Sequence, residues 1–170
     1  MTKIAVVTGA AGGMGQAICR RMIEEGFSVI GLDMTWPDGT LFDTAVFRAV
    51  TGDLSDDRAV AEIFDGIATR EGHVDVLVNN AGTCFMSDFP EIPAEEFRRQ
   101  MAVNFDTCFH CCQAAIPLML GGEGVRKIIN ISSNGAYNFD VFDPPHYRAS
   151  KAAMDTLTKD LARRYATEKI

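Results

Sequence analysis

Five short runs dominated by branched aliphatic residues, at positions 4–7, 29–32, 46–50, 74–78 and 127–131, constrain this chain more than any other feature. Most are apolar throughout instead of alternating, which is the pattern of strands buried on both faces of a parallel sheet. Parallel strands need crossovers, and the intervening segments supply amphipathic ones. Met14, Ala17, Ile18 and Met22 recur at helical spacing, as do Val60, Ile63, Phe64 and Ile67. Phe105, Cys108, Phe109, Cys112, Ile116 and Met119 form a third series, and Met154, Leu157, Leu161 and Tyr165 a fourth. Ser55 before Asp56 and Asp57, and Pro93 before Glu95 and Glu96, put acids where helix N-terminal amides favour them. Repeated βαβ units predict a doubly wound α/β fold in a single domain over residues 1–170.

Composition narrows the partners. With 47% apolar and 23% charged residues, 170 residues suffice for one soluble globular domain. A net charge of −7 without a lysine or arginine cluster argues against nucleic acid and against an acidic membrane surface. The apolar run at the N-terminus meets glycine too early for a signal peptide or a spanning helix, so the expected location is cytoplasmic. Five cysteines make an odd count, and Cys108, Cys111 and Cys112 crowd one apolar segment, so they read as reduced thiols packed in the core. No second Cys/His pair accompanies His110, and no metal is expected.

The loops carry the chemistry. TGAAGGMG, at residues 8–15, follows the first strand and opens a helix. Its glycines permit a tight turn and let a pyrophosphate approach the helix N-terminus without Cβ atoms in the way. The strict G-x-G-x-x-G spacing is absent, so a plain glycine-rich turn stands as the alternative. Asp33 ends the second strand eighteen residues beyond Gly15. A carboxylate there accepts hydrogen bonds from both adenosine-ribose hydroxyls and repels a 2′-phosphate. With no arginine or lysine at Gly12 or Met34, NAD is favoured over NADP. A turn-opening role before WPDG at 36–39 competes for Asp33. In YRASK, at 147–151, Tyr147 and Lys151 share one face of a helix. A free phenol titrates at about 10, and an ammonium within some 4–6 Å lowers it by ~1–3 units, which makes such a phenol a usable acid/base.

Taken in order, TGAAGGMG, Asp53 in GDL at 52–54, NNAG at 79–82, Asn104, ISS at 131–133 and YRASK resemble the motifs of the short-chain dehydrogenase/reductase family, from the first strand to the last helix. The resemblance implies a Rossmann-type parallel sheet of five strands, order 3-2-1-4-5, with helices on both faces. It implies an oxidoreductase that transfers a hydride between a nicotinamide cofactor and an alcohol or ketone. Gly9, Gly12, Gly13, Met14, Gly15, Asp33, Asp53, Leu54, Asn80, Ala81 and Gly82 would then hold the cofactor, joined by Tyr147 and Lys151 at its nicotinamide end. Asn104, Ser133, Tyr147 and Lys151 would carry the catalysis, with Ser132 second to Ser133.

Several roles stay open at this level. Asn104 either holds a water or is a satisfied structural amide. Phe139 and Phe142 either line a substrate pocket or anchor their own loop. His146 projects away from the face of Tyr147 and is given no part in proton transfer. The resemblance also implies a homodimer or homotetramer, through the helices around Asn104 and Lys151. Members of the family extend further, by two strands and a substrate-covering segment. The expectation is therefore a C-terminally truncated chain with its fifth strand at a sheet edge, marginal in stability or prone to self-association. An NAD-binding sensor or inactive remnant without turnover is the rival reading.

Overall fold

The computed structural model describes residues 2–37, 42, 45–121, 124–138 and 143–170. Strands β1 (Lys3–Thr8), β2 (Phe27–Asp33), β3 (Phe47–Thr51), β4 (Val76–Asn79) and β5 (Lys127–Asn130) form one parallel sheet in the order β3-β2-β1-β4-β5. The expected order holds, with β3 and β5 at the edges. Successive strands leave β1 first toward β2 and β3, then toward β4 and β5. The crevice between the carboxyl ends of β1 and β4 is therefore a topological switch point, where open α/β sheets bind ligands.

Alternation along each strand divides the core into two layers. Ile4 and Val6 point with Ile30, Leu32 and Leu77 into one layer, closed by helices α2 (Asp57–Arg70), α4 (Thr107–Met119) and α5 (Pro145–Arg164). Ala5 and Val7 point with Val29, Val76 and Val78 into the other, closed by α1 (Gly13–Glu24). Both faces of the central strands are dry, which accounts for their unbroken apolar runs. No described helix is long and apolar enough to cross a membrane.

Several local expectations need correction. The third strand runs 47–51, not 46–50, and the fourth begins at Val76, with Val74 buried ahead of it. Met14 is 60% exposed and Ala17 is exposed, because the inner face of α1 is Gly15, Ile18, Cys19, Met22 and Ile23. Asp56 caps α2 in place of Ser55, accepting from the Arg58 amide at 3.0 Å, while the Ser55 hydroxyl donates to Asp53. The helix expected through Phe105 to Met119 changes register. Short α3 (Ala94–Met101) passes into a π-helical turn (Ala102–Asp106), where the Thr107 amide reaches back five residues to the Ala102 carbonyl, before α4 resumes. Phe109 consequently lies 41% exposed beside Phe105, while Cys108, Cys111 and Cys112 are buried as expected.

Two prolines set the start of α5. Pro144 is the N-cap and Pro145 the first helical residue, a position that suits the ring because its amide has no helical partner. Tyr147 thus falls in the first turn, and Met154, fully buried, anchors the helix to the core two turns later. Met154→Ala is expected to cost about 2–5 kcal/mol in urea unfolding through the cavity it leaves.

Candidate active site

The turn after β1 is built by backbone approaches that exclude side chains. Gly9 adopts φ +64°, and a Cβ there would lie 2.9 Å from the Ala81 Cα. A Cβ on Gly15 would stand 2.0 Å from the Gly9 carbonyl oxygen, so α1 can close on the turn only with glycine. The Gly12 amide donates to Gly9 O at 3.3 Å, and α1 begins with no side-chain cap and no acid in its first turn. Uncapped amides at a helix N-terminus attract an anion. They open into a cleft of about 890 Å³ whose lining includes Gly9, Gly12, Gly13, Met14, Gly15, Asp33, Asp53, Leu54, Asn80, Ala81 and Gly82. Those are the residues expected to hold the cofactor, and the Cβ-free cradle at the helix end fits a dinucleotide. Exposed Met14 belongs to this cleft rather than to the core.

Asp33 stands at the mouth. Its Oδ2 accepts from the Ala11 amide at 2.9 Å and its Oδ1 from Met34 at 2.8 Å, so the carboxylate joins the end of β2 to the glycine turn. The Asp53 Oδ1 accepts from the amide and hydroxyl of Ser55, at 2.9 and 2.7 Å. Among the described residues, no lysine or arginine lines the cleft. Thr35, Trp36 and Pro37 complete that wall. Trp36 and Pro37 belong to the turn expected after Asp33, and a tryptophan three residues beyond the strand-ending acid was the available signal for a cleft wall.

NNAG braces the sheet from the far side of the switch point. The Thr8 hydroxyl accepts from the Asn80 and Ala81 amides at 3.0 and 2.9 Å, and the Asn80 amide group donates to the carbonyls of Thr8 and Gly9. Asn79, buried, donates to Asn130 Oδ1 at 2.8 Å, linking β4 to β5 beneath the site. Gly82 is the junction. A Cβ on it would lie 3.2 Å from Asn104 Oδ1 and 3.4 Å from Lys151 Nζ, so both groups stand directly behind the inner end of the cleft.

Lys151 is 5% exposed and donates to the Ile131 carbonyl at 2.8 Å. Burial pushes its amine below the usual lysine value, while the Asp155 carboxylate pulls it part of the way back. A hydrogen bond with Cys112, together with burial, holds the Cys108 thiol well above the usual range, so that neighbour stays neutral. Asn104 is fully buried and fully engaged: Oδ1 accepts from the Thr83 amide at 2.8 Å, and Nδ2 donates to Thr83 O and Ser150 Oγ, each at 3.0 Å. Ser150, inside YRASK but unassigned from sequence, passes the link on by donating to the Tyr147 carbonyl at 2.6 Å.

Ser133 and half-buried Tyr147 are not among the residues lining the 890 Å³ cleft. Ser133 caps a short 3₁₀ turn, its Oγ accepting from the Gly135 amide at 3.1 Å, which leaves the hydroxyl proton for another acceptor. The Ser132 hydroxyl is buried without a partner among the described residues. Phe139 and Phe142 fall outside the described residues. Among the described residues, no group of three or more His, Cys, Asp or Glu could hold a metal ion.

Known proteins share this fold. The profile of the short chain dehydrogenase family matches residues 3–170. An acetoacetyl-CoA reductase from Acinetobacter sp. (strain RA3849) is 34% identical over 99% of this chain and 70% of its own length. A D-beta-hydroxybutyrate dehydrogenase from Rhizobium meliloti (strain 1021) is 32% identical over 95% of this chain and 65% of its own. The crystal structure of a short chain dehydrogenase from Leptospira borgpetersenii serovar Hardjo-bovis (strain JB197) with bound NAD+ superposes with a TM-score of 0.91 at 27% identity, covering all of this chain and 68% of that one. The chain thus spans about two thirds of the length of these relatives. On its motifs, its sheet order and its profile match together, it belongs to the short-chain dehydrogenase/reductase family.

Proposed function

We propose that the chain is the cofactor-binding and catalytic part of an NAD-dependent oxidoreductase acting on a small alcohol or ketone. The observation that carries this reading is the junction at Gly82, where a Cβ-free dinucleotide cleft ends against the Lys151 ammonium and the Asn104 amide. The bound nicotinamide supplies or accepts the hydride. Tyr147 gives its proton to the carbonyl oxygen in reduction and takes it back in oxidation. Ser133 donates a hydrogen bond to the same oxygen and steadies the charge developing there. Lys151, one helical turn beyond Tyr147 on α5, brings its ammonium behind Gly82 at the inner end of the cleft. The names of the two curated relatives, a reductase of acetoacetyl-CoA and a dehydrogenase of D-beta-hydroxybutyrate, support a carbonyl/alcohol pair as the substrate class.

Cofactor choice follows from charge. Asp33 and Asp53 line the cleft without any lysine or arginine to balance a further phosphate, which supports NAD over NADP. Self-association through α4 and α5 is part of the same proposal, with Phe109 exposed on that side. Fluorescence of NADH on titration with the chain tests binding, and loss of its near-ultraviolet absorbance with a panel of small ketones tests turnover. Binding without turnover on any ketone would favour the sensor reading.

Tyr147→Phe is expected to keep NADH binding and to lose turnover by roughly 10²–10⁴-fold in steady-state assays. Asp33→Asn should narrow the preference for NADH over NADPH; an unchanged ratio of dissociation constants would place selectivity elsewhere. Lys151 allows a prediction with a definite sign. Its folded-state pKa is lowered, so the charged form opposes folding at every pH below that value, and the cost fades as pH rises toward the unfolded value of 10.5. Lys151→Met is accordingly expected to melt at an equal or higher temperature than the parent at neutral pH while losing turnover.

A further inference from the structure

The segment 83–87, which follows NNAG, is held by side chains spaced four apart on the helix opposite. The Thr83 amide donates to Asn104 Oδ1 at 2.8 Å, the Phe85 amide to Gln100 Oε1 at 2.9 Å, and the Ser87 amide to Glu96 Oε1 at 3.2 Å. The Ser87 hydroxyl adds a second bond to Glu96 Oε2 at 2.8 Å, and Gln100 returns one to the Thr83 carbonyl at 2.8 Å. Three alternate amides of an extended segment thus meet three carbonyl or carboxylate oxygens one helical turn apart. This ladder is also tied to α5 at both ends. Asn104 donates to Ser150, and Glu96 Oε1 lies 3.2 Å from His146 Nε2. Ser150 and His146 are themselves four residues apart and bracket Tyr147.

His146 is the unexplained member. Its side chain is 1% exposed in the first turn of α5, where the helix dipole disfavours a cation. Neither ring nitrogen makes a hydrogen bond among the described residues: Nε2 faces Glu96 Oε1 at 3.2 Å as a close polar contact, and that carboxylate is its one ionic neighbour there. Burying an imidazole on those terms is unfavourable unless its place is required. Without Glu96 the imidazole would face no polar group there, whereas Glu96 without His146 keeps its bonds from Ser87 and loses only its contact with α5.

We propose that His146 and Glu96 are positioning residues: together they lock the first turn of α5 to segment 83–87 and so fix the Tyr147 phenol relative to the reacting carbonyl. The proposal rests on Tyr147 being the acid/base. His146 neither touches substrate nor moves the proton; it acts through its neighbour. Asn104 and Ser150 hold the far end of the same turn, so losing the outer tie lets the turn pivot about the inner one. A misplacement of about 1 Å at a reacting group costs up to about 10²-fold in rate.

The test is a double-mutant cycle on the full 170-residue chain with NADH and a ketone that it reduces. His146→Ala and Glu96→Ala are each expected to lower kcat by about 10- to 100-fold with the KM for NADH unchanged. The double variant should be no slower than the slower single one, since one tie is broken only once. His146→Gln, which keeps a polar side chain facing Glu96, should recover most of the rate. If His146→Ala does not fold, Glu96→Ala and His146→Gln carry the same comparison. Wild-type kcat in the variants, additive losses in the double variant, or parallel losses of kcat and NADH affinity would each overturn the proposal. Amide hydrogen exchange supplies a readout independent of turnover. Ser87 should exchange faster in His146→Ala while Thr83, held by Asn104, does not change. If the parent binds NADH but reduces no ketone, the functional reading fails, and the exchange of Ser87 alone decides the tie: acceleration upholds it and an unchanged rate overturns it.

Discussion

Because β1 is hydrogen-bonded on both sides and covered on both faces, the only places where its neighbourhood can meet a ligand are the ends of its strands. Burial of the sheet therefore decides where chemistry can happen before any catalytic residue is considered. The carboxyl ends of β1, β2, β3 and β4 each deliver one part of the cleft: the glycine turn, Asp33, Asp53 with Leu54, and the Asn80–Gly82 stretch. Their closeness depends on missing Cβ atoms. Gly15 lets α1 reach the Gly9 carbonyl, and Gly9 lets the turn reach Ala81. A methyl group at Gly9 would push the turn after β1 away from Ala81, and one at Gly15 would lift α1 off that turn.

The polar groups behind the cleft follow a different rule. Asn79, Asn104 and Lys151 are buried among apolar residues, and each is held by named oxygen partners from neighbouring elements. Such groups stabilise little in net terms, but leaving one unpaired is expensive, so they specify the relative placement of β4, β5, the π turn and α5. Lys151 is the clearest instance, since burial works against the charge that the proposed chemistry needs. The bond to the Ile131 carbonyl and the charge of Asp155 offset part of that opposition.

Much of this was legible in the sequence because it is written in local patterns. Continuous apolar strands gave the parallel sheet and its two layers, and the glycine turn, Asp33 and NNAG announced the cleft. Errors arose where tertiary context overrode period. Met14 and Phe109 fit a helical apolar series but face the cleft and solvent, because neighbouring glycine and cysteine residues supply the inner face. The π turn was invisible, since a register change of one residue scarcely alters spacing over three turns. The pairing of Glu96 with His146 was hidden by a distance of fifty residues in the chain. Glu96 had a sufficient local explanation as a first-turn acid, and nothing in its neighbours hinted at a distant imidazole. Thr8, Gln100 and Ser150 were passed over for the same reason: a hydroxyl or amide that braces backbone has no signature until the backbone it braces is known.

Trp36 is the single tryptophan of the chain, and it forms part of the wall beside Asp33. Its indole sits 6.1 Å from the Phe47 ring, edge to face, fixed against the edge strand β3. Tryptophan emission from this protein therefore comes from one known place, beside Asp33 in the cleft wall. Were a reduced nicotinamide to bind in that cleft, energy passing to it from the indole would gauge occupancy without label or substrate.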